Sequence, residues 1–166
     1  ITFESMTLQY QKALATAAGG VDIIVRPPDE FGTMDEKVMD DVRKLDGVAA
    51  VAGRVTVESK VHTEHKTRYA WVTGVSQDDF AYNDASFTNV NGTKKLGTWD
   101  IVIDSRFKAS IGENVTIKDF TFKVVGVLST GVFGGISPFG RATYYCFINY
   151  RTAQQLFGMN GRVSFI

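Results

Sequence analysis

Cysteine and histidine are almost absent from this 166-residue chain: Cys146 stands alone, and the two histidines, His62 and His65, sit three positions apart. One cysteine excludes an internal disulfide. Between Tyr145 and Phe147 it reads as a small buried hydrophobe rather than a nucleophile. Two histidines in one polar stretch, with no serine in a GxSxG context, leave no nucleophile–base pair for hydrolytic chemistry. Net charge is missing too. Lys plus Arg and Asp plus Glu both total 18, which argues against a nucleic-acid surface or another polyanionic partner. Long apolar runs are also lacking, since Lys123–Leu128 (KVVGVL) is far short of the roughly 20 residues that span a bilayer. No internal repeat or low-complexity tract occurs.

What is present is enough apolar material, 44% of residues, for one full core or for two small lobes sharing an interface. Phe3, Met6, Tyr10, Ala13, Leu14 and Ala17 fall at helical spacing and predict an amphipathic helix over 1–18, ended by Gly19-Gly20. A strand over Val21–Val25 follows and is broken by Pro27-Pro28. Thr33 with Glu36 has the form of a capping box for a helix carrying Met34, Val38, Val42 and Leu45 on one face, closed by Gly47 in a left-handed conformation. The alternation of Val51, Val55, Val57 and Val61 with Arg54, Thr56, Glu58 and Lys60 predicts a strand with one covered face. Residues 21–61 thus read as a β-α-β unit. His62–Lys66 forms a turn, and Tyr69, Trp71, Thr73 and Val75 mark the return strand. Ser76–Lys95 loosens into a polar excursion with Phe80, Tyr82 and Phe87 as anchors. Ile101–Ile103 is a β-branched strand, Asp104 or Ser105 caps a short helical turn stopped by Gly112, and two strands flank the turn Lys118-Asp119. A strand over Ala142–Ile148 and a helix over Arg151–Phe157 close the pattern. Periodicity alone predicts an α+β fold with mostly antiparallel pairing.

The run Trp99–Thr130, WDIVIDSRFKASIGENVTIKDFTFKVVGVLST, resembles the extracytoplasmic core domain of MacB-type, FtsX-like ABC transporter permeases. Gly20–Val25, Leu45–Val51, Trp71–Val75 and Phe147–Gly158 resemble further pieces of that family in the same order. Two departures are a shortened helix after Ile103 and Glu113 where the family more often has Asp. The resemblance implies a two-lobed ectodomain: a porter-like β-α-β lobe from 1–61 and 141–166, with 1–18 as a stalk helix, and an inserted smaller β-rich lobe from 62–140. It also implies a piece of a longer membrane protein with transmembrane helices on both flanks, acting on the extracytoplasmic side. ATP hydrolysis would be left to a separate cytoplasmic ABC ATPase, a second permease copy would complete a dimer, and an accessory or substrate protein is a further expected partner. The alternative is a ligand-binding module of another exported or membrane-anchored protein.

Candidate sites are few. His62, Glu64 and His65 have some metal-ligand character, but they sit in a polar turn without a third spaced ligand, so a solvated turn is expected and no metal site. Asp40-Asp41 and Asp78-Asp79 are adjacent pairs whose side chains diverge, unlike a catalytic dyad. No catalytic and no cofactor-binding residue is assigned. The loop Gly131–Gly140 is glycine-rich, yet it lacks the Lys-Ser/Thr ending of a phosphate-binding loop and carries bulky apolar groups. Phe133, Ile136 and Phe139 in that loop are the candidate contacts for a partner or apolar substrate. Asn91-Gly92-Thr93 and Asn114-Val115-Thr116 are glycosylation sequons.

Overall fold

Alternating strands of β-branched residues dominate the chain, and in the structure, a computed structural model, they form one mixed sheet that closes on itself. Residues 23–29, 32–76, 90–129 and 144–166 are described. The expected helix over 1–18, the anchors Phe80, Tyr82 and Phe87, and Phe133, Ile136 and Phe139 lie outside them.

The elements are β1 (Met34–Asp35), α1 (Val38–Arg43), β2 (Val55–His62), β3 (Thr67–Val75), β4 (Val90–Gly92), β5 (Asp100–Asp104), a 3-10 turn (Ser105–Phe107), β6 (Asn114–Ile117), β7 (Phe120–Leu128), β8 (Tyr144–Asn149), α2 (Tyr150–Leu156) and β9 (Arg162–Val163). The main sheet runs β4-β7-β5-β8-β3-β2-β6, and β6 also pairs with β7. That last pairing joins the two sides into a six-stranded barrel with β4 attached outside. Pairing is antiparallel except for β3 with β8 and β5 with β7. Closure removes most free strand edges.

Two-residue periodicity decides what fills the barrel. Val55, Val61, Ala70, Val72, Ile101, Ile103, Val115, Ile117, Phe122, Val124, Cys146 and Ile148 form one buried cluster with Phe107. Each Val, Ile or Phe in it contributes about 1.5–3 kcal/mol relative to exposure. Val75, Leu96, Val102, Leu128 and Phe147 build a second, smaller cluster. This explains why β5 reads as an unbroken apolar run: Ile101 and Ile103 belong to one cluster and Val102 to the other.

Several local expectations match. Asp104 caps the 3-10 turn by accepting from the Arg106 amide, Gly47 and Gly112 take positive φ, and β6 and β7 join through Lys118-Asp119 with Lys118 itself at φ 54°. The helix expected from Thr33 is corrected. Met34 and Asp35 form a strand against Val163 and Arg162, and the helix starts only at Val38. Its inward residue is Met39 rather than Leu45, which is exposed. The strand expected over Val21–Val25 is also corrected in its described part. Ile23–Val25 carry no strand, although Val25 exchanges both backbone hydrogen bonds with Ile166, at 2.7 and 3.0 Å. Among the described residues the β-α-β reading of 21–61 therefore lacks its first strand, and β1 pairs with β9 outside the barrel. Strands β2 and β8, read in one lobe, lie beside β3 and β5, read in the other, so the lobes as bounded on the sequence share one sheet. Among the described residues no helix is long and apolar enough to cross a membrane.

Candidate functional site

Where β3 and β8 finish, the short helix α2 seats on the barrel. Its N-terminus is capped by the Asn149 side chain, which accepts from the amides of Arg151 and Thr152 at 3.0 and 3.4 Å. Thr152 Oγ1 donates to the carbonyl of Thr98 at 2.7 Å, and Lys118 Nζ donates to the carbonyl of Leu156 at 3.0 Å. Gly74 is what permits this seat. A Cβ there would lie 2.3 Å from Ala153 Cβ, so a glycine lets helix and strand touch.

Against the outer side of α2 run the first and last described segments, side by side. Val25 pairs with Ile166, β1 with β9, and Arg54 with Phe165, while Ser164 Oγ accepts from the Thr56 amide at 2.9 Å. Glu36, between β1 and α1, fastens the β1–β9 pair to the helix. Its carboxylate accepts from Tyr150 Oη at 3.0 Å, from Arg151 Nη1 at 2.9 Å and from Gln154 Nε2 at 2.9 Å. The buried Gln154 amide also donates to the carbonyl of Arg162 at 3.0 Å, and its Oε1 accepts from Arg151 Nη1 at 2.8 Å. The Arg162 guanidinium in turn donates to the carbonyl of Thr33 at 2.6 Å and to its Oγ1.

The electrostatics follow from these contacts. The Gln154 hydrogen bond, with those of Arg151 and Tyr150, holds the Glu36 carboxyl below its ordinary value of 4.5 against the opposing effect of burial. Burial, and then Glu36, push the Tyr150 hydroxyl up, so it stays protonated and donating. A surface cavity of about 230 Å³ lies beside the clamp, lined by Glu36, Lys37, Met39, Asp40, Arg43 and Arg151. A carboxylate committed to three donors is poorly placed for proton transfer. What the arrangement does well is hold three elements together.

Of the candidates read from the sequence, those among the described residues lie elsewhere, whereas Asp78-Asp79, Phe133, Ile136 and Phe139 fall outside the described residues. His62 Nδ1 bonds Thr67 Oγ1, whereas His65 Nε2 lies 3.5 Å from Glu113 Oε2, so the two histidines face different partners. Asp40 and Asp41 pair with Arg43 and Lys44 on the surface of α1. Burial pushes the Cys146 thiol far up, which keeps it inert. Among the described residues no group of three or more His, Cys, Asp and Glu side chains could hold a metal ion. The reading of the sequence missed the clamp because it assigned Glu36 to a cap. The available signal was Gln154, a polar residue four positions after Tyr150 on a helix face otherwise holding Ala153 and Leu156.

The description MacB-like periplasmic core domain belongs to a family model that matches residues 2–166. Comparison with curated proteins gives no match. Among solved structures, the extracellular domain of the noncanonic ABC-type transporter YknZ from Gram-positive bacteria superposes with a TM-score of 0.61 at 16% identity, covering 86% of this chain and 79% of that one. The periplasmic region of MacB from Actinobacillus actinomycetemcomitans gives 0.57 at 14% identity, covering 80% of this chain and 62% of that one. At such identities these two likenesses speak for the fold, and the match along nearly the whole length decides kinship: the chain belongs to the family of MacB-like periplasmic core domains.

Proposed function

We propose that this chain is the noncatalytic extracytoplasmic domain of an ABC transporter permease. It couples ATP hydrolysis in a separate cytoplasmic ATPase, through membrane helices, to the handling of substrate or a partner protein outside the membrane. A second permease copy completes the working dimer. The observation that carries this reading is that Val25 pairs with Ile166 and β1 with β9, and that Glu36 and Gln154 fasten these pairings to a helix seated on a closed barrel. Force applied to β1 or β9 reaches α2 through short hydrogen bonds rather than through a slack linker. The two-lobed organisation belongs to the same reading, with the shared sheet making both lobes one mechanical body. So does the loop of Phe133, Ile136 and Phe139, proposed as the surface that meets substrate or accessory protein.

The test is the full reading frame. One apolar span ahead of residue 1 and three beyond residue 166 support the permease, and a frame without flanking spans sinks it. For the loop, changing Phe133 and Phe139 to Ser lowers transport with no change in melting temperature. A large drop in melting temperature would instead assign those rings to the core.

A further inference from the structure

We propose that the open cavity between α1 and α2 binds a small oxyanion, the carboxylate or phosphate group of a ligand, and that the bound anion ties the two helices together. The cavity, about 230 Å³, is lined by cations from three stretches of chain: Lys37 ahead of α1, Arg43 at its end and Arg151 in the first turn of α2. Met39 and the carboxylates of Glu36 and Asp40 complete the wall. A water molecule occupies roughly 30 Å³ in the liquid, so a phosphate or a short dicarboxylate has room.

The two carboxylates do not act as bare charges against an anion, because each already has its donors. Glu36 accepts from Tyr150, Arg151 and Gln154, and Asp40 accepts from Arg43 Nη1 at 2.7 Å. Lys37 is the cation in excess, and its ammonium has no partner among the described residues. Of the acids just outside the wall, Asp35 accepts from the Lys37 amide at 2.9 Å and Asp41 pairs with Lys44.

The donors, by contrast, are largely unspent. A guanidinium carries N–H groups on Nε and on both terminal nitrogens. Arg43 uses Nη1 on Asp40, and Arg151 uses Nη1 on Glu36 and Gln154. A wall whose acceptors are committed and whose cationic donors are free selects an acceptor-only ligand. A cationic ligand would have to strip donors from Glu36, and an apolar one would meet Met39 alone. Because Arg43 belongs to α1 and Arg151 to α2, an anion held by both adds a second tie across the junction that Glu36 fastens. Binding is a property of this chain and stands or falls apart from the transport reading.

The experiment is an amide NMR titration of the 166-residue chain at neutral pH, with inorganic phosphate in one arm and succinate in the other, each replacing sodium chloride at constant ionic strength. Expected are saturable shifts centred on Glu36–Lys44 and Tyr150–Gln154, with a Kd of roughly 1–10 mM for so open a site. Saturation by phosphate alone assigns a phosphoryl ligand, and saturation by succinate alone or by both assigns a carboxylate-tolerant site. The double variant Lys37→Gln, Arg43→Gln should bind at least about fivefold more weakly, whereas Arg68→Gln, Lys108→Gln, which removes the same charge elsewhere, should bind as the parent does. All four side chains are exposed and lie outside the Glu36 clamp, so both variants fold. No saturable shift in either arm overturns the site. Equal weakening in the two double variants overturns it as well, since net charge and not the cavity would then be read.

Discussion

Two carboxylates hold arginines at different places on this barrel, and they do so differently. Asp104, fully buried at the end of β5, takes both its partners from Arg106, two residues on: the amide at 2.9 Å and the guanidinium in a bidentate pair. Glu36 takes its partners from Tyr150, Arg151 and Gln154, which are 114 to 118 residues away in sequence. The first is a cap that the chain makes locally. The second exists only once barrel, helix and terminal strands are assembled, so it joins elements where Asp104 finishes one.

The comparison is broken most severely at Asp104. Changing it to Ala removes the cap and leaves Arg106 without its counter-charge, and should cost about 3 kcal/mol in urea unfolding. Asp104→Asn, which keeps a cap acceptor, should cost clearly less. At the other site, Glu36→Ala removes the acceptor shared by Tyr150 Oη, Arg151 and the buried Gln154 amide and should cost about 2 kcal/mol. In the intact transporter the same change should lower transport more than ATP hydrolysis, because it loosens the proposed force path. Equal losses of both activities would speak against that path.

Acid sharpens the contrast further. The Glu36 carboxyl is held below its ordinary 4.5, so its contribution is fully present above that value and is lost as pH falls through the lower folded-state value. A thermal-melting series below about pH 4.5 should show a steeper decline for the parent chain than for Glu36→Gln. The smallest effect is expected at Arg43→Ala. Its pair with Asp40 on exposed α1 is an i,i+3 contact in water, and its loss should cost a few tenths of a kcal/mol.

The same division runs through what could be read before the fold was known. The Lys118-Asp119 hairpin, the Asp104 cap, the left-handed Gly47 and the β2–β3 turn were legible because each is made by residues within a few positions of one another. The capping box at Thr33 was a misreading of the same local kind. Thr33 and Glu36 have the right spacing, but Arg162 claims the threonine and α2 claims the glutamate. A local hydrogen bond worth about 1 kcal/mol yields readily to several nonlocal ones.

By itself the sequence determined the strand periodicities, the tight turns and an ordered set of motifs sufficient to reveal the family. The parallel pairing of β5 with β7, the barrel closure through β6 and the Glu36 clamp were decided by the tertiary structure. The reason is physical. Periodicity and turn chemistry are short-range properties of the backbone, whereas strand order and the partners of a buried polar side chain depend on which distant segments bury their apolar faces together.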